Sequence, residues 1–361
     1  MRKILILEPY FGGSHKNFLE GLMHNIRADY TLLSLPARKW KMRMQLSAQW
    51  FIEQLGKMPC EQRKFDTVLC STFVDVAVFR ALVSKLDGWN HHTKICLYFH
   101  ENQFAYPNRI KDTCLYHFTS INFNSALSAD SIAFNSDFNR MSFADGCTRY
   151  LKFAADMRFE NVLGEIENKS VVISPGIEFS GIDSLNSSQN NSDPTIVWNH
   201  RWEHDKNPDL FFAALERLQQ KDIKFNLIVL GQSFRQSPEC FERAEKTFKN
   251  EIVHFGFVDS YAGYVEQLNH GTIVVSTSDH EFYGISILEA VRAGCRPLLP
   301  NRLSYPELFP HKYLYEDVDF FAQLEKAVKE NEQMTREMCM ELTEKFSWQA
   351  LAARYETWLL P

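Results

Sequence analysis

The chain has 361 residues, 45% apolar and 23% charged, with 39 Lys and Arg against 45 Asp and Glu for a net charge of −6. This balance excludes disorder, a coiled coil and a surface coated in basic charge for gripping nucleic acid, and leaves room for a local basic patch. At about 150 residues per domain, the length corresponds to two domains. No apolar run reaches the roughly 18 residues of a membrane span. The longest, Val68 to Val83, is interrupted by Asp75 and Arg80. The run after Arg2-Lys3 stops at Glu8, too short for a signal peptide and right for a first buried strand. The eight cysteines form no Cys-x-x-Cys pair, so the expected compartment is a reducing cytoplasm. No membrane and no obligate protein partner is expected.

The first strand, Ile4–Leu7, is followed by Gly12-Gly13-Ser14-His15 and then by a helical face of Phe18, Leu19, Leu22 and Ile26. The glycines let backbone approach a ligand, but the dinucleotide fingerprint Gly-x-Gly-x-x-Gly is missing. After a second strand, Tyr30–Leu35, comes Arg38-Lys39-Trp40-Lys41-Met42-Arg43, four cations and one aromatic in six residues. It reads either as a solvated helix face or as a surface for phosphates and an unstacked base. Strands follow at Thr67–Cys70, Ile95–Phe99, Ser131–Phe134 and Val171–Ser174. Two of them end in polar clusters, His100-Glu101-Asn102-Gln103 and Asn135-Ser136, suited to a polar substrate. Residues 181–194, rich in Asn, Ser and Asp, read as a solvated linker.

Alternation restarts with strands Thr195–Trp198, Leu227–Leu230, Ile252–Phe255, Ile273–Ser276 and Pro297–Leu299. The expectation is two doubly wound parallel-sheet α/β domains facing a central cleft, with ligands at the carboxyl ends of the strands. Residues 1–180 form the first domain and 195–346 the second, and a helix at about 347–361 returns to the first. After Thr195–Trp198, His200 to Lys206 offers Arg201 as a planar fork and Lys206 as a point charge, with Asn207-Pro208 opening a helix. These cations either neutralise a diphosphate or pair with Glu203 and Asp205. Gly231 and Val258 follow two further strands, where a nucleotide base would lie. After Ile273–Ser276 comes Glu281-Phe282-Tyr283-Gly284-Ile285-Ser286-Ile287-Leu288-Glu289, with a helix starting near Ser286. Ser286 and Glu289 have capping-box spacing. Glu281 precedes a helix N-terminus fit to hold phosphate, and makes sense there as a partner of sugar hydroxyls. Asp317-Val318-Asp319 precedes a helix start and reads as cap and first-turn acids rather than a metal site.

Glu281 to Glu289 resembles the Glu-x7-Glu motif of the family 4 retaining glycosyltransferases, and Arg201 with Lys206 is similar to that family's cation pair. His200 and Asn207 stand where that family carries glycines. Glu8 to His15, Leu35 to Trp40, His100 to Gln103 and Tyr305 to Pro310 together resemble the tRNA-queuosine mannosyltransferase group. The resemblance implies the GT-B fold of two Rossmann-like domains. It also implies metal-independent, retaining transfer of mannose from GDP-mannose to the cyclopentene diol of queuosine in a tRNA anticodon, that of tRNA-Asp, with no cofactor. On this reading Glu281 and His100 are the catalytic candidates. Gly13, Arg201, Lys206, Gly231, Val258, Phe282, Tyr283, Gly284, Ile285 and Glu289 meet the nucleotide-sugar donor. His15, Glu101, Asn102, Gln103, Asn135 and Ser136, with Arg38, Lys39, Trp40, Lys41 and Arg43, meet the tRNA. Two other readings remain: a family 4 enzyme with a lipid, saccharide or small-molecule acceptor, and a non-catalytic RNA-binding protein of this fold.

Overall fold

A computed structural model describes residues 1–106, 115–184, 193–233 and 237–360. The chain divides into two compact units, Met1–Ile177 with Trp348–Pro361, and Glu178–Ser347. In the first, strands β1 (Lys3–Phe11), β2 (Asp29–Pro36), β3 (Thr67–Ser71), β4 (Lys94–Phe99), β5 (Ser131–Phe134) and β6 (Ser170–Val172) alternate with helices. These are α1 (Gly13–Asn25), α2 (Trp40–Lys57), α3 (Val76–Val83), α4 (Leu115–Ser128), α5 (Asp137–Lys152) and α6 (Val162–Asn168). In the second, β7 (Thr195–Asn199), β8 (Asn226–Leu230), β9 (Ile252–Gly256), β10 (Ile273–Val275), β11 (Arg296–Pro300) and β12 (Leu314–Tyr315) form the sheet. Its helices are α7 (Ser180–Asp183), α8 (Pro208–Gln220), α9 (Cys240–Thr247), α10 (Tyr261–Asn269), α11 (Ile285–Arg292), α12 (Tyr305–Leu308), α13 (Phe320–Glu330) and α14 (Arg336–Thr343). The last helix, α15 (Trp348–Leu359), belongs to the first unit.

Both sheets are parallel, in the orders β2-β1-β3-β4-β5-β6 and β12-β11-β10-β7-β8-β9. The central strands are apolar along their length because both faces are covered: Ile4, Leu5, Ile6 and Leu7 are all buried. Leu5 and Leu7 join a core with Phe51, Phe79 and Phe99, while Ile4 and Ile6 face Phe18, Leu22, Tyr355 and Trp358. Strand order reverses beside β1 and beside β7, so the segments after those strands leave the sheets at topological switch points, where ligands bind in such folds.

α15 is held at both ends. Its last carbonyls, on Trp358 and Leu359, accept from Lys94 Nζ at 2.6 Å and Thr67 Oγ1 at 2.8 Å, which satisfies groups a helix end leaves open. At its start the Trp348 indole lies over Gly21 and Gly176. A Cβ at either glycine would stand 2.1 or 2.3 Å from that ring, so only glycine admits it. Short β12, two residues of which only Tyr315 is buried, has no periodicity to announce it in sequence. The segment expected as a linker from 181 begins instead inside α7, where Asp183 is tied to Arg292, and residues 185–192 of it lie outside the described residues. Among the described residues no helix is long and apolar enough to cross a membrane.

Candidate active site

In the second unit the site is built where β7 and β10 end. After β10, Ser276, Thr277 and Ser278 are fully buried, and their hydroxyls fix the turn. Ser276 Oγ meets Tyr305 OH at 2.7 Å, and Thr277 Oγ1 donates to the carbonyls of Lys206 and Asn207 at 2.9 and 3.0 Å. That clamp brings the β7 loop against the β10 loop. Lys206 is buried, and its Nζ donates to the His280 carbonyl at 2.6 Å and to Glu281 Oε2 at 3.3 Å, with Asp205 Oδ2 at 3.5 Å. Burial is the largest single influence and acts to raise the Glu281 carboxyl, but the Lys206 charge and the surrounding donors, the Tyr283 amide at 3.3 Å among them, together hold the group down at about 2. Glu281 is therefore ionised at neutral pH, an acceptor of hydrogen bonds and not a proton donor.

Arg201 behaves differently from Lys206. Its side chain is half exposed and pairs with Glu203 at 3.0 Å. Of the two expected cations, one is locked among carboxylates and the other is screened by a surface acid.

Gly284, at φ 113°, caps α11 in a left-handed conformation that favours glycine. The expected capping box of Ser286 and Glu289 is not formed. The helix starts two residues earlier than that spacing requires, and Ser286 lies in the first turn, its carbonyl accepting from Asn199 Nδ2 at 2.7 Å. Glu289 instead accepts from Tyr264 OH at 3.0 Å and Tyr261 OH at 3.5 Å. Burial raises its carboxyl to about 7, against the pull of the two phenols. Asn207 caps α8 by position only. Its backbone is left-handed, and its amide reaches Asp279 at 3.4 Å. Asp317 pairs with Arg302, and Asp319 caps α13 without a side-chain bond.

Three neighbours were not legible as site residues. His200, where the family motif has glycine, is buried, and its Nε2 has no hydrogen-bond partner. Burial and the Lys206 charge press it down to about 3, so the ring is neutral. His280 is pressed down to about 4 by the same two causes. Asn199 anchors both Tyr264 and the α11 start. Gly231 is left-handed at φ 150°, and a Cβ there would stand 1.9 Å from the His200 carbonyl, so the two loops touch backbone to backbone. Phe282 and Tyr283 are buried, and Phe282 stands edge-on to His280 at 4.5 Å. Val258 is half-buried beside the exposed ring of Phe257.

In the first unit, His15 enters from α1, stacks on Phe73 at 5.3 Å and meets the tilted ring of His100 at 4.1 Å. Its Nδ1 meets Glu8 Oε2 at 3.0 Å, and its Nε2 meets Glu101 Oε2 at 3.3 Å. Ligand atoms of Glu8, His15 and His100 lie within 4.8 Å of one another, a spacing compatible with a metal ion. Burial acts to lower the His15 pKa, but the charges of Glu8 and Glu101 at its two nitrogens raise it to about 10, and a ring protonated on both nitrogens has no lone pair to offer. His100 is pushed well below the usual histidine range by burial and by the His15 charge.

Asn102 makes loop contacts rather than facing out. Its Nδ2 donates to Asn139 Oδ1 at 2.8 Å and Ser142 Oγ at 3.0 Å, and its Oδ1 accepts from the Phe104 and Ala105 amides. Gln103 is buried and held through its own amide by Asn122 Oδ1 at 2.8 Å. Asn135 Nδ2 donates to the His100 carbonyl at 2.7 Å, and Ser136 caps α5. These residues fix the loop that presents His100 and Glu101. Gly13 is exposed at the start of α1, at φ 52°.

Lys39 caps α2 with a left-handed backbone, and Arg38, Lys39 and Lys41 are exposed. The Trp40 ring is already packed against Phe118 at 5.2 Å, Phe73 at 6.2 Å and Tyr106 at 6.2 Å. Lys41 Nζ lies 5.6 Å from its centroid. Tyr106, packed on Trp40, is 38% exposed. Phe73 thus joins the basic patch to His15.

Comparison with known proteins separates the two units. Residues 3–177 match the family described as tRNA-queuosine alpha-mannosyltransferase N-terminal, and residues 183–346 match glycosyl transferases group 1. A Drosophila melanogaster tRNA-queuosine alpha-mannosyltransferase is 34% identical over 323 residues, covering 86% of this chain and 83% of its own. The chain belongs to the tRNA-queuosine alpha-mannosyltransferase family. In fold, this family member is similar to Anabaena Alr3699/HepE in complex with UDP, at TM-score 0.70 and 11% identity over 99% of both chains. It is equally similar to the catalytic domain of starch synthase IV from Arabidopsis thaliana, at TM-score 0.70 and 15% identity over 99% of this chain and 98% of that one. The queuosine-mannosyltransferase family member is thus a glycosyltransferase of GT-B fold, built on two parallel sheets of six strands.

Proposed function

We propose that the protein transfers mannose from GDP-mannose to the cyclopentene diol of queuosine in a tRNA anticodon, with tRNA-Asp as substrate, retention at the sugar and no metal. The observation that carries this reading is the 34% identity to a tRNA-queuosine alpha-mannosyltransferase along 86% of the chain. The site geometry supports it. The diphosphate lies at the N-terminus of α11, where the first-turn N–H groups and the helix dipole favour an anion. Lys206, with Arg201, takes up the charge that develops on the leaving group. Glu281, ionised and fixed by Lys206, accepts from hydroxyls of the hexose. Glu289 accepts from the ribose hydroxyls in place of one of its tyrosines. Metal-free transfer is supported by the engagement of Asp317 with Arg302, which makes the Asp-x-Asp sequence a surface ion pair.

In the first unit, neutral His100 supplies a lone pair for the hydroxyl of the acceptor diol that does not react. The departing phosphate oxygen takes the proton on the face where the new bond forms, which accounts for retention without a protein nucleophile. The cations at 38–43 approach the anticodon backbone, and Tyr106 offers a ring to a splayed base. A cytoplasmic setting follows from a tRNA substrate.

Labelled GDP-mannose supplied with queuosine-containing and queuosine-lacking tRNA tests the reading. Label is expected in queuosine-containing tRNA-Asp alone. Equal labelling of both tRNAs, or a melting temperature raised by UDP- or ADP-sugars and not by GDP-mannose, overturns it.

A further inference from the structure

Exposed apolar surface in the first unit gathers where α4 begins and α5 ends. Tyr116, in the first turn of α4, and Phe153, just past the last turn of α5, are 55% and 71% exposed, yet their rings meet edge to face at 5.7 Å. Single exposed apolar residues are ordinary, but large rings that touch each other and still stand in water form a patch. The patch is fixed from beneath. Tyr150, one turn back from Phe153, packs on Phe104 at 6.0 Å and on Phe123 at 5.7 Å. Phe104 in turn lies on Gly146, where a Cβ would stand 2.3 Å from it. The far half of α5 is thereby pressed against the loop that carries Glu101, Asn102 and Gln103.

Cations flank the rings on both sides. α5 ends in Arg149 and Lys152, both exposed. Arg140, earlier on the helix, is paired with Asp137 at 2.7 Å, whereas neither of the last two enters an ion pair among the described residues. Cations in a last turn also complement the helix dipole, but that accounts for neither ring. On the other side, Phe118 of α4 packs on Trp40 at 5.2 Å, with Lys41 Nζ 5.9 Å from its centroid. The strip from Lys39 and Lys41 through Tyr116 and Phe153 to Lys152 thus sets rings between positive charges. Past Phe153 the chain carries Asp156 and Glu160 against Arg158, so the basic character ends there. A protein-interface core is depleted of charge, whereas single-stranded nucleic acid is held by rings for its bases and cations for its phosphates.

We propose that Tyr116 and Phe153, with Arg149 and Lys152, form a second RNA-binding surface, which stacks an unpaired nucleotide of the substrate tRNA other than the one modified. The inference rests on the reading that tRNA is the acceptor. α5 starts after Ser136, beside the Asn135 that holds the His100 carbonyl, and its 16 residues run about 24 Å before Phe153. The surface is therefore remote from His100. It acts on tRNA affinity alone, equally in the ground state and the transition state.

Steady-state kinetics and filter binding with queuosine-containing tRNA test it on the whole chain. Phe153→Ala is expected to raise KM for tRNA about five- to twentyfold, with kcat and GDP-mannose affinity unchanged. Phe153→Tyr keeps a ring and should bind as wild type does. Phe153→Leu keeps apolar bulk without a ring and should bind as Phe153→Ala does; a leucine variant with wild-type KM overturns the proposal. Arg149→Ala with Lys152→Ala should lower the slope of log affinity against log salt by about 1.5, and an unchanged slope overturns it too. Phe153→Ala that binds tRNA as wild type does, but turns a dimer into a monomer in light scattering, makes the surface a protein interface and overturns the RNA reading of it. A wild-type chain that neither binds nor labels queuosine tRNA overturns the acceptor reading and this surface together. A wild-type chain that labels it, with the Phe153 and cation variants matching it throughout, overturns this inference alone.

Discussion

Lys206 and Glu281 meet at 3.3 Å with the lysine buried and its ammonium also held by the His280 carbonyl. The acid thus stays charged in a place that would otherwise neutralise it. Its pKa is depressed from 4.5 to about 2, so the stability it contributes is present above about 4.5 and is lost as pH falls through about 2. Lys206→Ala should cost about 1–3 kcal/mol in urea denaturation at neutral pH, discounted from a fully buried pair because the Glu281 side chain is 20% exposed. Adding Glu281→Gln to that variant should restore part of the loss. If the double variant is less stable than Lys206→Ala, the pair is not what holds the loops.

Glu289 sits near neutrality, raised to about 7 by burial despite two tyrosines. A ribose hydroxyl pair needs the ionised form. GDP-mannose affinity should therefore fall as pH drops below about 7, approaching tenfold per pH unit, and Glu289→Gln should bind weakly with a flat profile. Calorimetry across that window decides it. An unchanged pH dependence in Glu289→Gln would place the titrating group elsewhere. Protonation of Glu289 also favours the fold, and that contribution fades as pH rises through about 7.

Arg292 ties three helices of the second unit. Its guanidinium binds both Asp183 oxygens at 2.7 Å, Glu344 at 2.8 Å and Thr343 at 3.2 Å, with its face 4.7 Å from Phe179. Arg292→Met keeps bulk and removes the fork. Because its acidic partners are partly solvated, the expected loss is about 2–3 kcal/mol, below that of a wholly buried pair. A change within about 0.5 kcal/mol in chemical denaturation would mark the network as energetically idle.

The patch at 38–43 should act through charge. Lys39→Ala with Lys41→Ala and Arg43→Ala is expected to weaken tRNA binding and to lower the slope of log affinity against log salt by about 2. Tyr106→Ala should weaken binding with the slope kept, since stacking releases no counterions. Filter binding over a salt series separates the two. An unaltered slope in the triple variant reduces the patch to a solubility feature.

The pairing of acids and bases was where sequence reading stopped. Spacing alone treats Glu281 and Lys206 as separate ligands for sugar and phosphate, yet they neutralise each other in part. The Ser286–Glu289 spacing satisfies a capping box, and Gly284 starts the helix ahead of it. Trp40, the aromatic of the basic patch, packs on Phe73 and Phe118, and its neighbour Tyr106 is the more exposed ring. Glu8 reads as the residue that ends an apolar run; folded, it becomes the buried anchor of His15.

Eleven of the strands and the parallel α/β class are written in local periodicity, because a strand covered on both faces must be apolar throughout, and this holds wherever the partners come from. The residues that end those strands are likewise set by chain order, which is why the motifs after β1, β4, β7 and β10 could be found. Which carboxylate is charged, which histidine is neutral and which amide is occupied were decided by tertiary structure alone. Those states depend on fields and hydrogen bonds from groups such as Glu8 and Glu101, or Lys206 and Glu281, that lie 93 and 75 positions apart in the chain and act only at contact distance.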